Sequence, residues 1–505
     1  MSLVCRFLNG ICQLLYYSEY RRFLASCDIK KVQEKYLTKL LDKNKNTVYG
    51  KKCNFENIKN YEDFVKNVPL TVYEDYEPYI EAMANGEKNI LTSQKLKLFE
   101  LTSGSSGGKK MIPYTKSLSH EFLRGIKPWL YDIGKSIRKS SYGKSYWSIT
   151  PVTEGKSFTK GGISVGFEED SEYFGAIART VMNKLFAVDS SVKFSEDMQD
   201  FYFKTASQLI CCRELSLISV WNPTFLTILC DFISENTQKL SALLPVKHRE
   251  TFLLAVSEKR FDKVFPNLAV ISCWADGSAA DYVPQLQRLF PGVLIQPKGI
   301  LATECFISFP LCGEDGSRLS VYSHFFEFRS MTDGQIVTAD RLTEGEYEII
   351  VTTGGGFYRY CIGDIIKVLK VFKDRPPLIR FLRRNGISVD MFGEKLTEDF
   401  VRNVCIKLGI SENFCMLAPD NNRYCLYTDS EKISGDELDT MLCESYHYNY
   451  CRKLGQLNKA EVKVVSKDPA KTYIERLTSE GMRAGNIKPS YLSAKKDWEK
   501  YFELQ

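Results

Sequence analysis

One run of the chain, residues 347–364, constrains the fold more than any other part of the sequence. It reads Tyr-Glu-Ile-Ile-Val-Thr-Thr-Gly-Gly-Gly-Phe-Tyr-Arg-Tyr-Cys-Ile-Gly-Asp. The pattern predicts an apolar strand, a glycine-rich turn and a second extended stretch that stops at Gly363-Asp364. A carboxylate at the edge of a sheet can accept hydrogen bonds from paired hydroxyls, such as those of a ribose. Taken alone, the run is more simply a plain hairpin with a surface aspartate.

A second run, residues 101–110, is rich in groups that bind phosphate. It reads Leu-Thr-Ser-Gly-Ser-Ser-Gly-Gly-Lys-Lys, so glycines that let backbone amides approach an anion stand among hydroxyls and two ammonium groups. It departs from a Walker A loop, because three residues rather than four separate Gly104 from Gly108 and Lys110 stands where Ser or Thr would reach Mg²⁺. The run lies between an apolar strand signal and a helix signal, where flexible linkers are uncommon. Phosphate binding is therefore the favoured interpretation.

Two further runs place polar groups after apolar strands. At 299–306 the predicted strand ends at Thr303-Glu304, and a hydroxyl beside a carboxylate suits a Mg²⁺ that bridges nucleotide phosphates. At 273–282 a strand leads through Asp276-Gly277-Ser278 into a helix start, where a ligand can meet backbone amides. Neither run is specific alone, since Thr-Glu pairs are common and an ordinary strand-to-helix connection explains the second equally well.

Composition excludes several classes of protein. The 505 residues are 44% hydrophobic, which is enough for a large core divided among about three domains or one large and one small. A net charge of +6 without a basic run argues against nucleic-acid binding. Sixteen cysteines without a Cys-x-x-Cys pair, and only four histidines, argue against structural zinc. Cysteines used as small buried hydrophobes predict a reducing, cytoplasmic location.

The N-terminus carries apolar residues at helical spacing, at Leu3, Val4, Phe7, Leu8, Ile11, Leu14 and Leu15. Arg6 interrupts the run, no small-residue cleavage site follows, and the run is too short to span a bilayer. We expect an amphipathic helix packed on the body of the protein rather than a membrane contact, and no stable membrane insertion.

The order of predicted elements indicates an α/β fold. A long helical region at about 195–260 is broken at Asn222-Pro223. From Leu268 onward the chain becomes strand-rich, with strands predicted at Leu268–Trp274, Val293–Ile295, Leu319–Arg329, Glu346–Thr353, Ile362–Phe372 and Ile379–Leu382. The prediction is a large domain over 1–383, with β-sheets layered with helices.

A smaller α+β unit is predicted over 384–505. It offers a helix near Glu398–Leu408, a hairpin at Asn421-Asn422, a helix near Glu437–Leu454 and a strand at Glu461–Val465. The segment 384–386, Arg-Asn-Gly, is the candidate hinge between the two domains.

Taken in order, these motifs resemble the signature of adenylate-forming enzymes of the firefly luciferase-like superfamily, and most closely the acyl acid amido synthetase family, the auxin-responsive Gretchen Hagen family. His324-Phe325-Phe326-Glu327-Phe328 looks like that family's Phe-Phe-Glu-Phe strand. Glu304-Cys305-Phe306 follows its Ser-Glu-Cys-aromatic pattern, and the run from Leu342 to Asp364 matches its longest motif almost residue for residue. Ala302 stands where the family often has Ser. The resemblance is firm over about residues 45–400 and thin beyond.

The resemblance implies an ATP-dependent ligase that uses Mg²⁺. A carboxylic acid would react at the α-phosphorus of ATP to give an acyl-adenylate, which an amine, usually an amino acid, would then attack. The implied phosphate contacts are Ser103, Gly104, Ser105, Ser106 and Lys109, with Thr303 for the α-phosphate and Glu304 for Mg²⁺. Asp364 would bind the ribose, and Gly277 and Ser278 would border the adenine and acyl sites. Tyr358 is a further implied nucleotide contact.

The family also implies a small C-terminal domain that rotates between half-reactions and brings in a lysine. Gly485-Asn486-Ile487-Lys488-Pro489 looks like its late Gly…Lys-x-Pro segment, so Lys488 is the candidate catalytic lysine, with Thr303 and Glu304 as its catalytic partners; an ordinary solvated lysine is the alternative. Two other functions stay open: transfer of the acyl group to a thiol such as coenzyme A, and a degenerate member that only binds. Family members are often monomeric, and we expect a monomer.

Overall fold

The computed structural model describes residues 3–103, 109–148, 157–166, 184–384, 388–392, 394, 396–453, 455–482, 484 and 487–505. Its α-helices lie at Leu3–Leu24, Ile29–Asn44, Val48–Lys52, Tyr61–Asn67, Tyr73–Ala84, Lys116–Ser136, Met198–Cys211, Pro223–Glu235, Thr237–Ser241, Val246–Ser257, Phe261–Val264, Val283–Leu289, Glu398–Lys407, Gly435–Leu442, Tyr446–Lys453 and Pro469–Ser479. Among these described residues, no helix is both long and apolar enough to cross a bilayer.

A parallel sheet forms one layer of the large domain. Its strands, in spatial order, are Lys144–Trp147, Leu215–Ser219, Val270–Cys273 and Leu294–Pro297. The second strand contradicts the long helical region predicted for about 195–260, since all five of its residues are buried between two helices. A short strand buried on both faces has no period that separates it from a helix, which is why the sequence pattern misled.

An antiparallel sheet of seven strands forms the second layer. Its spatial order is Ile336–Thr338, Phe325–Ser330, Gly345–Thr352, Tyr360–Lys370, Leu378–Arg384, Ser317–Leu319 and Ser308–Pro310. The single strand predicted over Leu319–Arg329 is wrong, because the chain turns at Ser320–Ser323 and sends its two halves to different places in the sheet. The largest hydrophobic core packs this sheet against the helices of the first hundred residues.

A third sheet presents the serine- and glycine-rich run. Leu96–Ser103 pairs antiparallel with Lys109–Thr115, and the short strands Ser157–Phe158 and Ser164–Val165 continue the sheet. The run is thus the tip of a β-hairpin, and the predicted helix begins only after the second strand, at Lys116. Thr115 caps that helix by accepting a hydrogen bond from the Leu118 amide.

The C-terminal unit has its own sheet and cores. Cys415–Asp420 and Arg423–Thr428 form the predicted hairpin, and Glu461–Val464 adds a parallel strand. The predicted helix at Glu398–Leu408 is present as Glu398–Lys407. The single helix expected near Glu437–Leu454 is instead two, because the chain breaks between Leu442 and Tyr446. Short strands at Ser388–Val389 and Leu396–Thr397 begin this unit.

The large domain and the C-terminal unit, as predicted, make an α/β fold with an α+β appendage. Asp281 of the large domain joins them, because its carboxylate accepts hydrogen bonds from Arg402 at 2.9 and 3.0 Å and from the Tyr491 hydroxyl at 2.7 Å. The last strand of the large sheet ends at Arg384, and residues 385–387 lie outside the described residues. The boundary at 383/384 and the hinge at 384–386 therefore stay predictions.

The N-terminal helix Leu3–Leu24 packs on the body as expected, but through the opposite face. Cys5, Tyr16, Tyr20 and Phe23 are its buried residues. Of the seven apolar residues that define its amphipathic pattern, Leu8 and Ile11 are half-buried and the other five face solvent, namely Leu3, Val4, Phe7, Leu14 and Leu15.

Candidate active site

Asp364 lies within a strand and not, as predicted, at a strand end. The strand Tyr360–Lys370 runs through it, with a bulge: Glu348 pairs with Ile365 and Ile350 with Cys361, so three residues oppose Ile349 alone. Gly363 takes a φ of 81° in this bulge, a value that favours glycine. A bulge bends a strand and re-aims side chains, which is how a carboxylate can leave the plane of the sheet here.

One cation contacts the Asp364 carboxylate, and a second acts on it electrostatically. Arg384 Nε lies 3.5 Å from Asp364 Oδ1, and the two residues are also partners in adjacent strands. Burial raises the pKa of Asp364, while the charges of Arg384 and Lys488 act to lower it. Arg384 was considered only as part of a hinge in the sequence, so its place beside Asp364 is a contribution of the tertiary structure.

Glu304 lies in a tight turn near Asp364. The Ala302 and Cys305 backbones hydrogen bond to each other across the turn, so Thr303 and Glu304 form its tip; Thr303 is half-buried and Glu304 only 4% exposed. The Tyr360 hydroxyl donates to Glu304 Oε1 at 3.5 Å. Burial raises the pKa of Glu304; Arg384 and Lys110 oppose the rise, and the neighbouring Asp364 adds to it. Two carboxylates and two cations therefore share one small region.

A buried histidine connects this turn to the glycine-rich turn. His324 Nε2 accepts a hydrogen bond from the Phe306 amide at 2.9 Å, and its Nδ1 lies 3.1 Å from Glu121 Oε2. The same Glu121 oxygen accepts from the Gly354 amide at 2.9 Å. Glu121 thus ties together two motifs that are fifty residues apart in sequence. The sequence interpretation missed Glu121, since an isolated Glu in a helix carries no signal.

The phosphate-binding residues predicted from the 101–110 run are described only in part. Gly104, Ser105 and Ser106 lie outside the described residues, and of Ser103 and Lys109 only the backbones are described, as partners that close the hairpin. Lys110, the next residue, has a described side chain near Glu304, where its charge lowers the pKa of that carboxyl.

Lys488 reaches the large domain from the C-terminal unit. Its ammonium lies 4.4 Å from the centre of the Trp274 ring, and the Ile487 carbonyl accepts a hydrogen bond from the Asn222 side chain at 3.0 Å. The Lys488 ammonium keeps contact with solvent in the region around Trp274, which we call the cleft, but the neighbouring groups displace part of the water around it. This desolvation lowers the pKa of Lys488, and the Asp364 and Asp276 carboxylates oppose the change.

The predicted Asp276-Gly277-Ser278 turn borders the same cleft. Gly277 has a φ of 59°, and a Cβ there would stand 3.2 Å from the Phe381 ring, so glycine fits both the backbone and the space. Burial raises the pKa of Asp276 to about 6, opposed by Arg380 and by a hydrogen bond from the Phe381 amide. The backbone of Ser278 lies in the short helical turn Gly277–Tyr282, and its side chain is outside the described part of the chain.

Tyr358 is a wrong prediction as a nucleotide contact. Its side chain is fully buried, stacks on Tyr49 at 5.3 Å between ring centres, and donates its hydroxyl to the Leu91 carbonyl at 2.9 Å. The glycine-rich turn sends the chain inward, so Tyr358 anchors the core. Tyr360, two residues later, is the tyrosine that contacts Glu304.

Two charged residues of the resembling motifs hold the fold together. Arg359 and Glu327 are 4% and 1% exposed and form a forked ion pair, with Arg359 Nε at 3.0 Å and Nη2 at 2.9 Å from Glu327 oxygens. The Tyr61 hydroxyl donates to Glu327 and the Val68 carbonyl accepts from Arg359. A buried pair with its remaining hydrogen bonds satisfied fixes the relative position of two strands and the helix beside them.

A further ammonium is buried at the carboxyl edge of the parallel sheet. Lys298 Nζ donates to the Ser219 hydroxyl at 2.6 Å and faces the rings of Trp129, Trp147 and Trp221 at 5.0, 5.7 and 5.0 Å. All but Trp129 lie at or just after the ends of the parallel strands, the edge where α/β proteins bind ligands. The sequence did not mark this tryptophan box, because its members are far apart along the chain.

The box adjoins the cleft that holds Lys488. The Trp274 amide donates to the Trp221 carbonyl at 2.9 Å, so the backbones that carry these two indoles are adjacent. The Trp221 ring faces Lys298, and the Trp274 ring faces Lys488. Aromatic side chains with a few charged groups are the usual lining of sites for small organic acids. The acidic and basic groups around Glu304 suit a polyphosphate and its counter-ion.

Comparison with protein families agrees with the geometry. Residues 23–248 match the model of the GH3 family N-terminal domain, and residues 318–384 match that of the GH3 family central domain. The indole-3-acetic acid-amido synthetase GH3.4 of Arabidopsis thaliana is 24% identical over 459 residues, which cover 80% of this chain and 75% of that protein. The putative indole-3-acetic acid-amido synthetase GH3.10 of Oryza sativa subsp. japonica is 24% identical over 403 residues, 74% of this chain and 81% of its own.

Solved structures show that the fold is shared. The AtGH3.15 acyl acid amido synthetase in complex with 2,4-DB superposes with a TM-score of 0.81 at 19% identity, covering 96% of this chain and 94% of that one. A second structure, of the GH3.15 acyl acid amido synthetase, has a TM-score of 0.78 at 21% identity and covers 93% and 92%. The coverage includes the C-terminal unit, where the sequence resemblance was thin.

Proposed function

This chain belongs to the GH3 family, and from that premise we propose that it is an ATP-dependent acyl acid amido synthetase. It activates a carboxylic acid as an acyl-adenylate with release of pyrophosphate. It then joins the acyl group to an amine, an amino acid in the first instance, with release of AMP. The enzyme is a ligase that forms a carbon–nitrogen bond.

One observation carries the proposal: Arg384 Nε lies 3.5 Å from the buried Asp364 carboxylate, and the charges of both residues act on the buried Glu304. Lys488, from a fourth part of the chain, acts electrostatically on Asp364. Buried ionisable groups are costly unless they have a ligand or a partner. A cleft that gathers two carboxylates and two cations at a domain junction is a functional arrangement by that criterion. It supplies acceptors for hydroxyls and a metal ion, and cations for phosphates and a carboxylate.

ATP is the substrate that fits this cleft. We assign the ribose hydroxyls to Asp364, with Arg384 leaving or sharing that carboxylate when the nucleotide binds. The hairpin tip Ser103–Lys109, with Thr303, is assigned to the phosphates. Gly277 and Ser278 are assigned to the adenine and acyl side of the cleft. Backbone amides, hydroxyls and ammonium groups of these segments would each offset the negative charge that moves to the leaving pyrophosphate.

Mg²⁺ fits the donor set through Glu304. Within the described ranges no cluster of three or more candidate ligands occurs. Mg²⁺ is commonly held by only one or two carboxylates together with phosphate oxygens and water, so one buried carboxylate with a hydroxyl neighbour is sufficient protein ligation. When bound, the ion would neutralise phosphate charge. The residues around it keep Glu304 in place: Tyr360 donates to it, and His324 fixes the turn that carries it.

Lys488 is assigned to the reacting carboxylate and the α-phosphate. The carboxylate and the α-phosphate are both anions, and their repulsion opposes the first half-reaction. The Lys488 ammonium offsets this negative charge. The amine then attacks an already activated acyl carbon, so the second half-reaction depends on holding the two reactants in line. The docking of Ile487 on Asn222 holds Lys488 against the large domain. We propose that the C-terminal unit rotates on its hinge between the half-reactions.

We assign the acid to the tryptophan box at the carboxyl edge of the parallel sheet. Its walls are aromatic and its floor is the Lys298 ammonium. The names of the relatives identify indole-3-acetic acid as the substrate of those proteins. The identity of the acid used by this chain is the first thing an experiment has to determine.

A monomer in the cytoplasm is the setting we propose. All sixteen cysteines are free, as in a protein kept in a reducing compartment. Size-exclusion chromatography with light scattering tests the oligomeric state, and fractionation of the source cell tests the location.

The decisive experiment measures pyrophosphate release from ATP and Mg²⁺ across a panel of carboxylic acids, with and without pooled amino acids. Release that depends on one acid, followed by an amide product, establishes the proposed activity and names both substrates. A thioester formed only when coenzyme A is supplied would replace the amine by a thiol. Absence of release over a broad panel that includes aromatic, aliphatic and dicarboxylic acids would remove the proposal.

A further inference from the structure

The exposed side of the N-terminal helix Leu3–Leu24 has no counterpart in the proposed catalytic function. Leu3, Phe7 and Leu14 are 80%, 68% and 78% exposed, and Val4 and Leu15 are 61% and 59% exposed. At 100° per residue these five side chains lie on one face of the helix. We call the side chains of Leu3, Val4, Phe7, Leu14 and Leu15 the outer face.

The opposite face of the helix fixes it to the body of the protein. Asn9 donates to the Gly143 carbonyl at 3.0 Å, and Gln13 donates to the Leu130 carbonyl at 3.2 Å. Tyr20 donates to Asp132, and Phe23 packs against Phe309 at 4.5 Å between ring centres. These polar and aromatic contacts fix the inner face to the body of the protein. The outer face is therefore held towards solvent.

Exposed single hydrophobic residues are ordinary, but five large ones over four helical turns are not. A surface helix normally turns its apolar stripe to the core. The reversed orientation here places leucine, valine and phenylalanine where they meet whatever approaches the protein from outside.

The charge around the outer face is basic. The helix contains Arg6, Arg21 and Arg22 but only one acidic residue, Glu19, and that carboxylate lies 3.1 Å from Arg22. Arg21 and Arg22 fall on the same side as the outer face, at its C-terminal end. Exposed cations also occupy the adjacent segment, at Arg138 and Lys139, while Lys135 lies over the Tyr20 ring on the inner side. An apolar face bordered by cations is the pattern of a helix that lies in the headgroup region of an anionic membrane.

We propose that the outer face binds the surface of a membrane that contains anionic lipids, as a peripheral contact. Leucine and phenylalanine side chains enter the boundary between headgroups and acyl chains, and the arginines meet lipid phosphates. The contact needs no spanning segment and leaves the catalytic cleft in solution. It would bring the ligase to a surface where apolar carboxylic acids concentrate.

A second copy of the chain is a poorer occupant of the outer face. In a two-fold dimer the same basic patch meets itself, so positive charge would be brought together without carboxylates to balance it. Glu19, the one acid of the helix, is already paired within the helix. An anionic lipid surface supplies the missing negative charge together with an apolar layer.

The test is co-sedimentation of the purified full chain with vesicles of phosphatidylcholine alone and of an equal mixture of phosphatidylglycerol and phosphatidylcholine. We expect binding to the mixed vesicles that weakens with salt, and little binding to phosphatidylcholine alone. The double variant Phe7→Asp/Leu14→Asp should bind the mixed vesicles about tenfold or more weakly, since both anchors become anions. Arg21→Gln/Arg22→Gln should reduce binding by about three- to tenfold and make it less sensitive to salt.

Matched controls separate this effect from general surface chemistry. Leu254→Asp changes an apolar residue of similar exposure, 56%, on another helix, and Lys239→Gln/Lys247→Gln removes two exposed cations elsewhere. Both controls should bind as the unchanged protein does. Adenylation activity and the thermal midpoint should be unaffected in every variant, because none of these residues belongs to the catalytic cleft.

Three results would overturn the proposal. One is vesicle binding by Phe7→Asp/Leu14→Asp equal to that of the unchanged chain. Another is the absence of binding to mixed vesicles at low salt. The third is a concentration-dependent dimer, seen by light scattering without lipid and abolished by Phe7→Asp/Leu14→Asp, which would assign the outer face to a second copy.

Discussion

Arg384 Nε stands 3.5 Å from Asp364 Oδ1, so the last strand of the large domain holds the carboxylate that we assign to the ribose of ATP. Residues 385–387 follow Arg384 directly in the chain, next to the predicted hinge. A movement of the C-terminal unit about that hinge would therefore displace this ion pair first. The pair therefore links the nucleotide site to the predicted hinge.

Replacing Asp364 by Asn tests the ribose assignment. The amide keeps the size of the side chain but loses the charge, and a hydrogen bond to a charged group contributes about 2 kcal/mol, so we expect the KM for ATP to rise about 10- to 100-fold. The acid KM should change little. Asp315→Asn is the matched control. The Asp315 side chain is 93% exposed and pairs with Arg380, which lies in the same strand as Arg384. An unchanged ATP KM in Asp364→Asn would remove the assignment.

The pH dependence of adenylation should show an acidic limb set by the two buried carboxylates. Burial raises the pKa values of both Glu304 and Asp364, so each is protonated at a pH where an ordinary carboxyl is still charged. Activity should therefore be present above the raised pKa values and fall as the pH drops through them. The limb should lie above the range of a free glutamate, near 4.3.

The variant Arg384→Gln sharpens that test. Arg384 is the strongest neighbour that lowers the pKa of Asp364, so removing its charge should move the acidic limb of the ATP kcat/KM profile to higher pH. Glu304→Gln should reduce pyrophosphate release about 100-fold or more at every pH if Glu304 holds Mg²⁺. A limb that stays in place in Arg384→Gln, measured over the same pH range, would contradict this account.

Lys488→Met tests the lysine brought in by the C-terminal unit. Methionine keeps much of the length of the lysine side chain that lies over Trp274 but lacks its positive charge. We therefore expect kcat for adenylation to fall about 100-fold. Attack of an amine on chemically prepared acyl-adenylate should fall much less. Lys496→Met is the control, since it lies exposed a few residues further on. Equal losses in both half-reactions would mean that Lys488 acts mainly through domain docking.

Lys298→Met tests the assignment of the acid to the tryptophan box. Loss of an ammonium buried among indoles should raise the KM of the acid about tenfold, with the ATP KM unchanged. Ser219→Ala, which removes only the hydroxyl that Lys298 donates to, should have a smaller effect in the same direction. A change in the ATP KM without a change in the acid KM would place the acid elsewhere.

The ion pair between Arg359 and Glu327 should be structural. Glu327→Gln leaves a buried guanidinium without its charge partner, which costs about 3 kcal/mol of unfolding free energy. Chemical denaturation measures the loss, and the ATP and acid KM values of the folded fraction should stay unchanged. Asp315→Asn, at an exposed pair, should cost less than about 1 kcal/mol. Equal losses in the two variants would mean that the Arg359 pair contributes no more than a surface contact.

The sequence alone determined the family and the residue types of the site. The Thr-Glu turn, the Gly-Asp segment and the late lysine could each be identified, because they are local patterns of glycine, hydroxyl and charge at fixed spacing. The C-terminal helix at 398–407 and the hairpin at Asn421 were predicted for the same reason, since caps and turns are local chemistry.

Only the tertiary structure decided which of these residues meet. The bulge at Gly363 re-aims the Asp364 side chain within its strand, Arg384 joins it from the neighbouring strand, and Tyr358 is turned into the core while Tyr360 reaches Glu304. The tryptophan box is assembled from residues up to 169 positions apart, Trp129 and Lys298. Periodicity also gave the wrong face to the N-terminal helix. A pattern records which side chains share a face, whereas the contacts available to both faces decide which one is buried.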